Sequence, residues 1–165
     1  MFSRKTAIVT MSDLGSQGLR EDRSGQALAQ RLAAEGYQIF SSTVIPDECH
    51  RIKEVLVELC DIAGAALIVT TGGTGVSPRD VTPDATLAVI QKAVPGFAEA
   101  MRAASMRKTP HAMLSRAVAG IRGKTLIINL PGSPKGAMEN LEAILAALPH
   151  ALDKIQGDPS DCAQG

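Results

Sequence analysis

Short, apolar, β-rich runs alternate along this chain with segments whose apolar residues recur at helical spacing. Residues 6–11 (TAIVTM), 38–45 (QIFSSTVI), 65–71 (AALIVTT) and 125–130 (TLIINL) are each bounded by turn residues and predict strands. Between them, Leu28 and Leu32 mark a helix across residues 24–35. Ile52, Val55, Leu56, Leu59, Ile62 and Ala63 fall on one face of a helix that starts near Glu48, and Met138, Leu141, Leu145 and Leu148 keep the same spacing after Ser133. The alternation predicts an α/β fold in three layers, a mostly parallel sheet with helices on both faces and a ligand cleft at the carboxyl ends of the strands. No internal repeat, low-complexity tract or linker breaks the pattern. A single domain over residues 1–157 is expected, with 158–165 as a flexible tail.

Size and charge narrow the function classes. At 165 residues a one-domain chain buries roughly 68–70% of its unfolded surface and folds without staples. There are 17 basic and 17 acidic side chains, and no basic run or aromatic-interleaved patch, which sets nucleic acid aside as a partner. Cys49, Cys60 and Cys162 lack CxxC spacing and read as free thiols in a reducing compartment. No apolar run approaches the length of about 20 residues that spans a bilayer, and residues 1–10 lack the apolar core of a signal peptide. The expected place is the cytoplasm, away from any membrane.

The densest chemistry follows the third predicted strand. Residues 70–86 (TTGGTGVSPRDVTPDAT) hold three glycines, two prolines, two aspartates and five threonines. A glycine-rich backbone can bring N–H groups against an anion, while Asp80 and Asp84 can hold a cation or orient a substrate. The loop is neither common phosphate motif. Gly73 and Gly75 open a dinucleotide fingerprint, but Pro78 stands where the third glycine belongs. Gly123, Lys124 and Thr125 end like a P-loop, yet Val118 takes the first glycine's place and a strand follows instead of a helix. Two helix starts offer anion sites instead: Thr82 as N-cap with Pro83 and Asp84 behind it, and Ser133 as N-cap with Pro134 behind it. On spacing alone the ordinary-cap reading is favoured for both, and for Asp47, directly before the helix at Glu48. Asp80 has no such structural explanation. Four loops after strands, 12–23, 46–47, 72–84 and 131–134, are predicted to converge on one crevice.

Several segments carry a family resemblance: IPDE (45–48), TTGGTG (70–75), SPRDVTPDAT (77–86), PGF (95–97), LSRAVAG (114–120) and LIINLPGSP (126–134). In content and order they resemble the molybdopterin adenylyltransferases of molybdenum-cofactor biosynthesis, the MoaB/MogA-like family that includes the gephyrin-type G domains of plants and animals. The likeness runs from the first strand to about Lys154. It implies that ATP, with Mg²⁺, donates AMP to the terminal phosphate of molybdopterin, giving adenylyl-molybdopterin and pyrophosphate. It also implies that Asp47 and Asp80 are the catalytic aspartates and Mg²⁺ ligands.

The implied chemistry suits these residue types. A phosphate monoester with a second pKa of about 6 is already largely dianionic near neutrality and needs no strong general base. Positioning and charge neutralisation are the remaining tasks, and Mg²⁺ works with few carboxylates beside substrate phosphates.

By the same resemblance, Gly72, Gly73, Thr74 and Gly75 supply backbone donors, with Ser77, Thr82 and Asp84 in the loop behind them. Ser12 and Asp13 match the pair after the family's first strand. Ser105 and Ser115, flanked by Arg102, Arg107 and Arg116, fall on the pterin side, where the arginines are either phosphate ligands or solvated charges. Asn129, Pro131, Gly132 and Ser133 frame the nucleotide side. His50 and His150 read as surface residues and His111 lies near the pterin region; Met101, Met106, Met113 and Met138 read as packing. A homotrimer and a downstream molybdate-inserting partner are also implied. The alternative is a non-catalytic molybdopterin-binding or carrier protein of the MoaB type; some of that subgroup lack the full PDE and RDVTPDAT segments, both of which this chain keeps.

Overall fold

The computed structural model describes residues 2–160. The chain begins with β1 (Lys5–Met11), a one-turn helix α1 (Asp13–Ser16), α2 (Arg23–Ala34), β2 (Gln38–Ile45) and α3 (Cys49–Val57). It continues through β3 (Leu67–Thr71), α4 (Thr82–Val89), β4 (Lys92–Ala93), α5 (Pro95–Met106), β5 (Ala119–Arg122) and β6 (Thr125–Leu130). It ends with α6 (Pro134–Ile144) and α7 (Leu148–Gln156). The six strands form one sheet in the order β2-β1-β3-β6-β5-β4, parallel from β2 to β6 and antiparallel at β5 and β4.

The central strands are apolar throughout because both faces are covered. Ile8, Leu67, Val69, Leu126 and Ile128 point to one face and pack with Leu28 and Leu32 of α2, Phe97 and Met101 of α5, Leu141 of α6 and Leu152 of α7. Ala7, Val9, Ile68 and Ile127 point to the other and meet Ile52 and Leu56 of α3 and Ala85 and Val89 of α4. Burying each such Leu or Ile contributes about 1.5–3 kcal/mol. The three-layer α/β fold read from the alternation is therefore the one formed.

Where the elements differ from the sequence reading, the causes are local. Ile62 is 83% exposed, off the apolar face expected for it. After Val57 the helix widens into a π-turn at Glu58–Ile62, with the Ala63 amide donating to the Glu58 carbonyl, and the inserted residue rotates Ile62 out of phase. The run from Met138 to Leu148 is likewise two helices: α6 passes into a 3₁₀ turn at Leu145–Ala147, and Pro149 in the first turn of α7 lacks the N–H that a continuous helix would need. Strand β5 and helix α5 had no separate prediction. Met101 is buried, whereas Met106 and Met113 are exposed, so the packing role expected of all four methionines does not extend to those two.

Of the tail expected from 158 onward, residues 161–165, including Cys162, lie outside the described residues. Asp158 and Ser160 accept hydrogen bonds from the Lys154 ammonium. His50 and His150 are exposed, as is His111. No helix among the described residues is long and apolar enough to cross a membrane.

Candidate active site

The carboxyl ends of β1, β3 and β6 point the same way because these strands are parallel neighbours. The loops that follow them therefore meet. Together with Asp47 after β2 they enclose a cavity of about 770 Å³. All four loops predicted to converge contribute: Ser12 and Asp13 from the first, Asp47 from the second, Gly72, Gly73 and Asp80 from the third, Gly132 and Ser133 from the fourth.

Asp47 is held by an exchange, not by a cap. Its own amide donates to Asp13 Oδ1 at 3.0 Å, and the Asp13 amide donates to Asp47 Oδ2 at 3.1 Å. The N-cap of α3 is Glu48, which makes no side-chain cap bond, so the N-cap reading of Asp47 is corrected. Arg79 clasps the Asp13 carboxylate from the glycine loop, with Nε 3.0 Å from Oδ2 and Nη2 2.8 Å from both oxygens. That guanidinium, with the Asp47 amide, holds the Asp13 carboxyl below the usual aspartate range. Asp47 moves the other way. Burial pushes its carboxyl up, the Asp13 amide pulls it down, and the negative charges of Asp13 and Asp80 add to the rise.

Asp80 sits in a tight turn, its amide donating to the Ser77 carbonyl at 2.9 Å and its Oδ2 accepting from the Ser77 amide at 2.9 Å. The glycines ahead of it are required by close approach. Gly73 has φ +65°, and a Cβ there would strike Thr82 Oγ1 and lie 3.0 Å from Asp47 Oδ1. A Cβ on Gly75 would lie 2.8 Å from Asp80 Oδ2. The glycine loop is thus the surface against which both aspartates are set. Its Gly72 amide is taken by the Leu130 carbonyl. The amides of Gly73, Thr74 and Gly75 find no acceptor among the described residues and remain free to donate.

The donor set fits a hard cation shared with a substrate. Asp47 Oδ1 and Asp80 Oδ1 accept no hydrogen bond among the described residues, and the like charges around Asp47 favour a nearby cation. No group of three or more His, Cys, Asp or Glu side chains that could hold a metal ion occurs among the described residues. Two carboxylates without a closed cage match Mg²⁺ that takes its remaining ligands from phosphate and water.

Other site residues stand elsewhere than expected. Thr82 is the first residue of α4, not its cap; that position is Val81. Its hydroxyl donates to the Gly72 carbonyl and its amide to the Gly73 carbonyl, so Thr82 ties this helix start to the glycine loop. Ser133 does cap α6, accepting from the Gly136 amide at 3.1 Å, with Pro134 as the first helical residue. Asn129 is fully buried and does not line the cavity: its side-chain amide donates to Thr70 and Thr86 hydroxyls at 3.0 Å each, and its Oδ1 accepts from the Val118 amide.

Thr74, Gly75, Ser77, Asp84, Ser105, Ser115 and Pro131 are also outside the cavity lining. The Pro131 carbonyl accepts from Thr71. Ser105 accepts from Asn140, and Ser115 accepts from the Ala117 amide. Neither flanking arginine with a mapped partner is a free surface charge: Arg102 donates to the Ser115 and Ala117 carbonyls, and Arg116 pairs with Asp84.

The far wall comes largely from the predicted loop 12–23, of which the sequence reading singled out only Ser12 and Asp13. Thr10 donates to Asp22 Oδ2 at 2.7 Å, Asp22 caps α2 through the Gly25 amide, and Ser24 donates to the Gly132 carbonyl at 2.6 Å. Arg20 and Arg23 complete the cationic part of that wall. The Asp–Arg–Ser–Gly run at 22–25 carried a cap signal that would have marked it.

Comparison with known proteins shows the chain's relatives. Residues 7–150 match the model of the MoCF_biosynth family, described as "Probable molybdopterin binding domain". A relative from Helicobacter pylori, named molybdopterin adenylyltransferase, is 45% identical over 155 residues, 92% of this chain and 87% of its own. The molybdopterin adenylyltransferase of Escherichia coli K12 is 40% identical over 171 residues, 95% of this chain and 88% of its own. The crystal structure of the molybdopterin biosynthesis enzyme MoaB from Thermus thermophilus is similar with a TM-score of 0.89 and 50% identity, covering 98% of this chain and 100% of that one. These matches, which run over most of the chain, place it in the MoCF_biosynth family, whose model is described as a probable molybdopterin binding domain.

Proposed function

We propose that this protein is a molybdopterin adenylyltransferase that uses ATP and Mg²⁺ to transfer AMP to the terminal phosphate of molybdopterin. The observation that carries the reading is the pairing of Asp47 and Asp80 at one cavity, each with an unbonded carboxylate oxygen and both against the glycine loop. A molybdopterin phosphate oxygen attacks the α-phosphorus of ATP. The bond from that phosphorus to the bridging α–β oxygen breaks, and pyrophosphate leaves with the electron pair.

Asp47 and Asp80 would hold Mg²⁺, which would neutralise phosphate charge when bound. The protein's own groups do the rest. The free amide of Gly73 in the cavity lining donates to a phosphate oxygen, the Asp13 exchange fixes the Asp47 carboxylate, and Ser77 aims that of Asp80. The nucleophile arrives already ionised near neutrality, so no base is required. Neither aspartate acts as a covalent nucleophile in this scheme.

The decisive experiment incubates purified protein with molybdopterin, ATP and Mg²⁺ and follows pyrophosphate and adenylylated product, beside Asp47→Asn and Asp80→Asn. Turnover in the wild type that is lost in both variants supports the reading; unchanged turnover in Asp80→Asn overturns it. A MoaB-type carrier without chemistry is the alternative reading. It predicts molybdopterin binding without pyrophosphate. A cytoplasmic homotrimer that hands its product to a molybdate-inserting enzyme completes the proposal, and sedimentation would check the trimer.

A further inference from the structure

One guanidinium gathers the loop that carries Asp80. Arg116 stands after α5 in the segment LSRAVAG, and its amide donates to the Thr74 carbonyl at 2.8 Å. Its side chain then reaches three points of the neighbouring loop. Nε donates to the Gly75 carbonyl at 2.9 Å, Nη2 to the Asp80 carbonyl at 2.6 Å, and both terminal nitrogens to the Asp84 carboxylate at 3.2 and 2.9 Å. Gly75 and Asp84 are the two shoulders of the loop and Asp80 its working residue. Gly75 is also the residue whose missing side chain makes room for Asp80 Oδ2.

We infer that Arg116 is a positioning residue that sets the Asp80 carboxylate for Mg²⁺ and phosphate, and is not itself a ligand of the molybdopterin phosphate. The inference rests on the adenylyl-transfer reading above. Asp80 is held from two sides: Ser77 fixes its carboxylate, and Arg116 fixes its carbonyl and hence the backbone that aims it. Four of the fork's five N–H donors go to protein oxygens, and one Nη1 hydrogen is left over. A phosphate could take two donors from the guanidinium only by displacing Asp84 or opening the loop. Lysine could replace the charge but not the planar fork that serves three acceptors at once.

The test uses the full chain with Arg116→Ala, Arg116→Lys and Asp84→Asn. It measures kcat, KM for molybdopterin, the half-saturating Mg²⁺ concentration, and amide hydrogen exchange across residues 75–84. For Arg116→Ala, kcat should fall about 10–100-fold, the range for groups that orient a metal ligand. The Mg²⁺ requirement should rise, KM for molybdopterin should stay within about threefold, and exchange at Ser77 and Asp80 should quicken. Arg116→Lys should recover less than a tenth of the lost rate. Asp84→Asn should lose only a few-fold, because Arg116 keeps its two carbonyl partners.

A raised KM for molybdopterin with unchanged kcat and Mg²⁺ dependence would overturn the inference in favour of a direct phosphate contact. So would unchanged exchange in the loop. If Arg116→Ala does not fold, the lysine and Asp84 variants decide by the same measurements. A wild type that releases no pyrophosphate defeats the adenylyl-transfer reading, and loop exchange then still decides whether Arg116 holds Asp80.

Discussion

Asp13 and Asp47 each donate a backbone N–H to the other's carboxylate, at 3.1 and 3.0 Å, and so join the ends of β1 and β2 across the mouth of the cavity. Two acidic side chains are held near each other because each is bonded as an acceptor, and Arg79 balances the outer one. The arrangement keeps Asp47 in place while leaving its Oδ1 free.

Asp47→Asn should separate function from stability. Burial holds the folded Asp47 carboxyl above its ordinary range, so the protonated form favours folding below the unfolded value and that advantage is lost as pH rises through the folded one. Asparagine mimics the protonated form and can still accept from the Asp13 amide. Adenylyl transfer should fall by about 10²–10³-fold, the scale seen when a charge-stabilising group is removed. Thermal unfolding near pH 7 should show a Tm equal to wild type or higher, and the two should converge in acid.

Arg79→Met should move the pH profile. Arg79 draws the Asp47 carboxyl down, and losing it lets the acidic neighbours push further up. The acid limb of kcat/KM should therefore shift to higher pH than in wild type. The depressed Asp13 carboxyl gives stability that is present above its unfolded value and lost as pH falls through the folded one. Any Tm deficit of the variant should thus be seen near neutrality and fade in acid.

Gly73→Ala should damage both the fold and the site. The left-handed backbone at φ +65° costs about 1–2 kcal/mol for an L side chain, and the new Cβ meets Thr82 and Asp47. Gly18→Ala is the control, with φ +73° and open space around it. Both should lower Tm by comparable backbone strain, but only Gly73→Ala should also lose adenylyl transfer by tenfold or more.

Asn129→Leu should be a stability lesion. It strands the Thr70 hydroxyl and the Val118 amide in the core between β6 and α4, while the Thr86 hydroxyl keeps its bond to the Thr82 carbonyl. At about 1–3 kcal/mol for each unsatisfied buried group, a loss of several kcal/mol and a clearly lower Tm are expected by thermal denaturation. Residual folded protein should keep its KM for ATP, because Asn129 lies outside the cavity lining. A raised KM would return Asn129 to the nucleotide site.

The alternation of apolar runs and helical spacing was enough to read the layered α/β fold, because consecutive strand residues such as Leu67 and Ile68 point to opposite faces and are both buried apolar side chains only where both faces are covered. Local chemistry also showed the strand-end loops and the Ser133 cap, since turn and cap signals lie within a few residues of each other. The family resemblance singled out Asp47 and Asp80 across a gap that spacing alone does not bridge. Tertiary structure decided what no local pattern encodes. Asp47 turned out to pair with Asp13 instead of capping α3, Thr82 to brace Gly72, Asn129 to satisfy the core and Arg116 to hold the Asp80 loop. A side chain's partners depend on which strand ends lie side by side, and the order β2-β1-β3-β6 brings together residues as distant in sequence as Ser24 and Gly132.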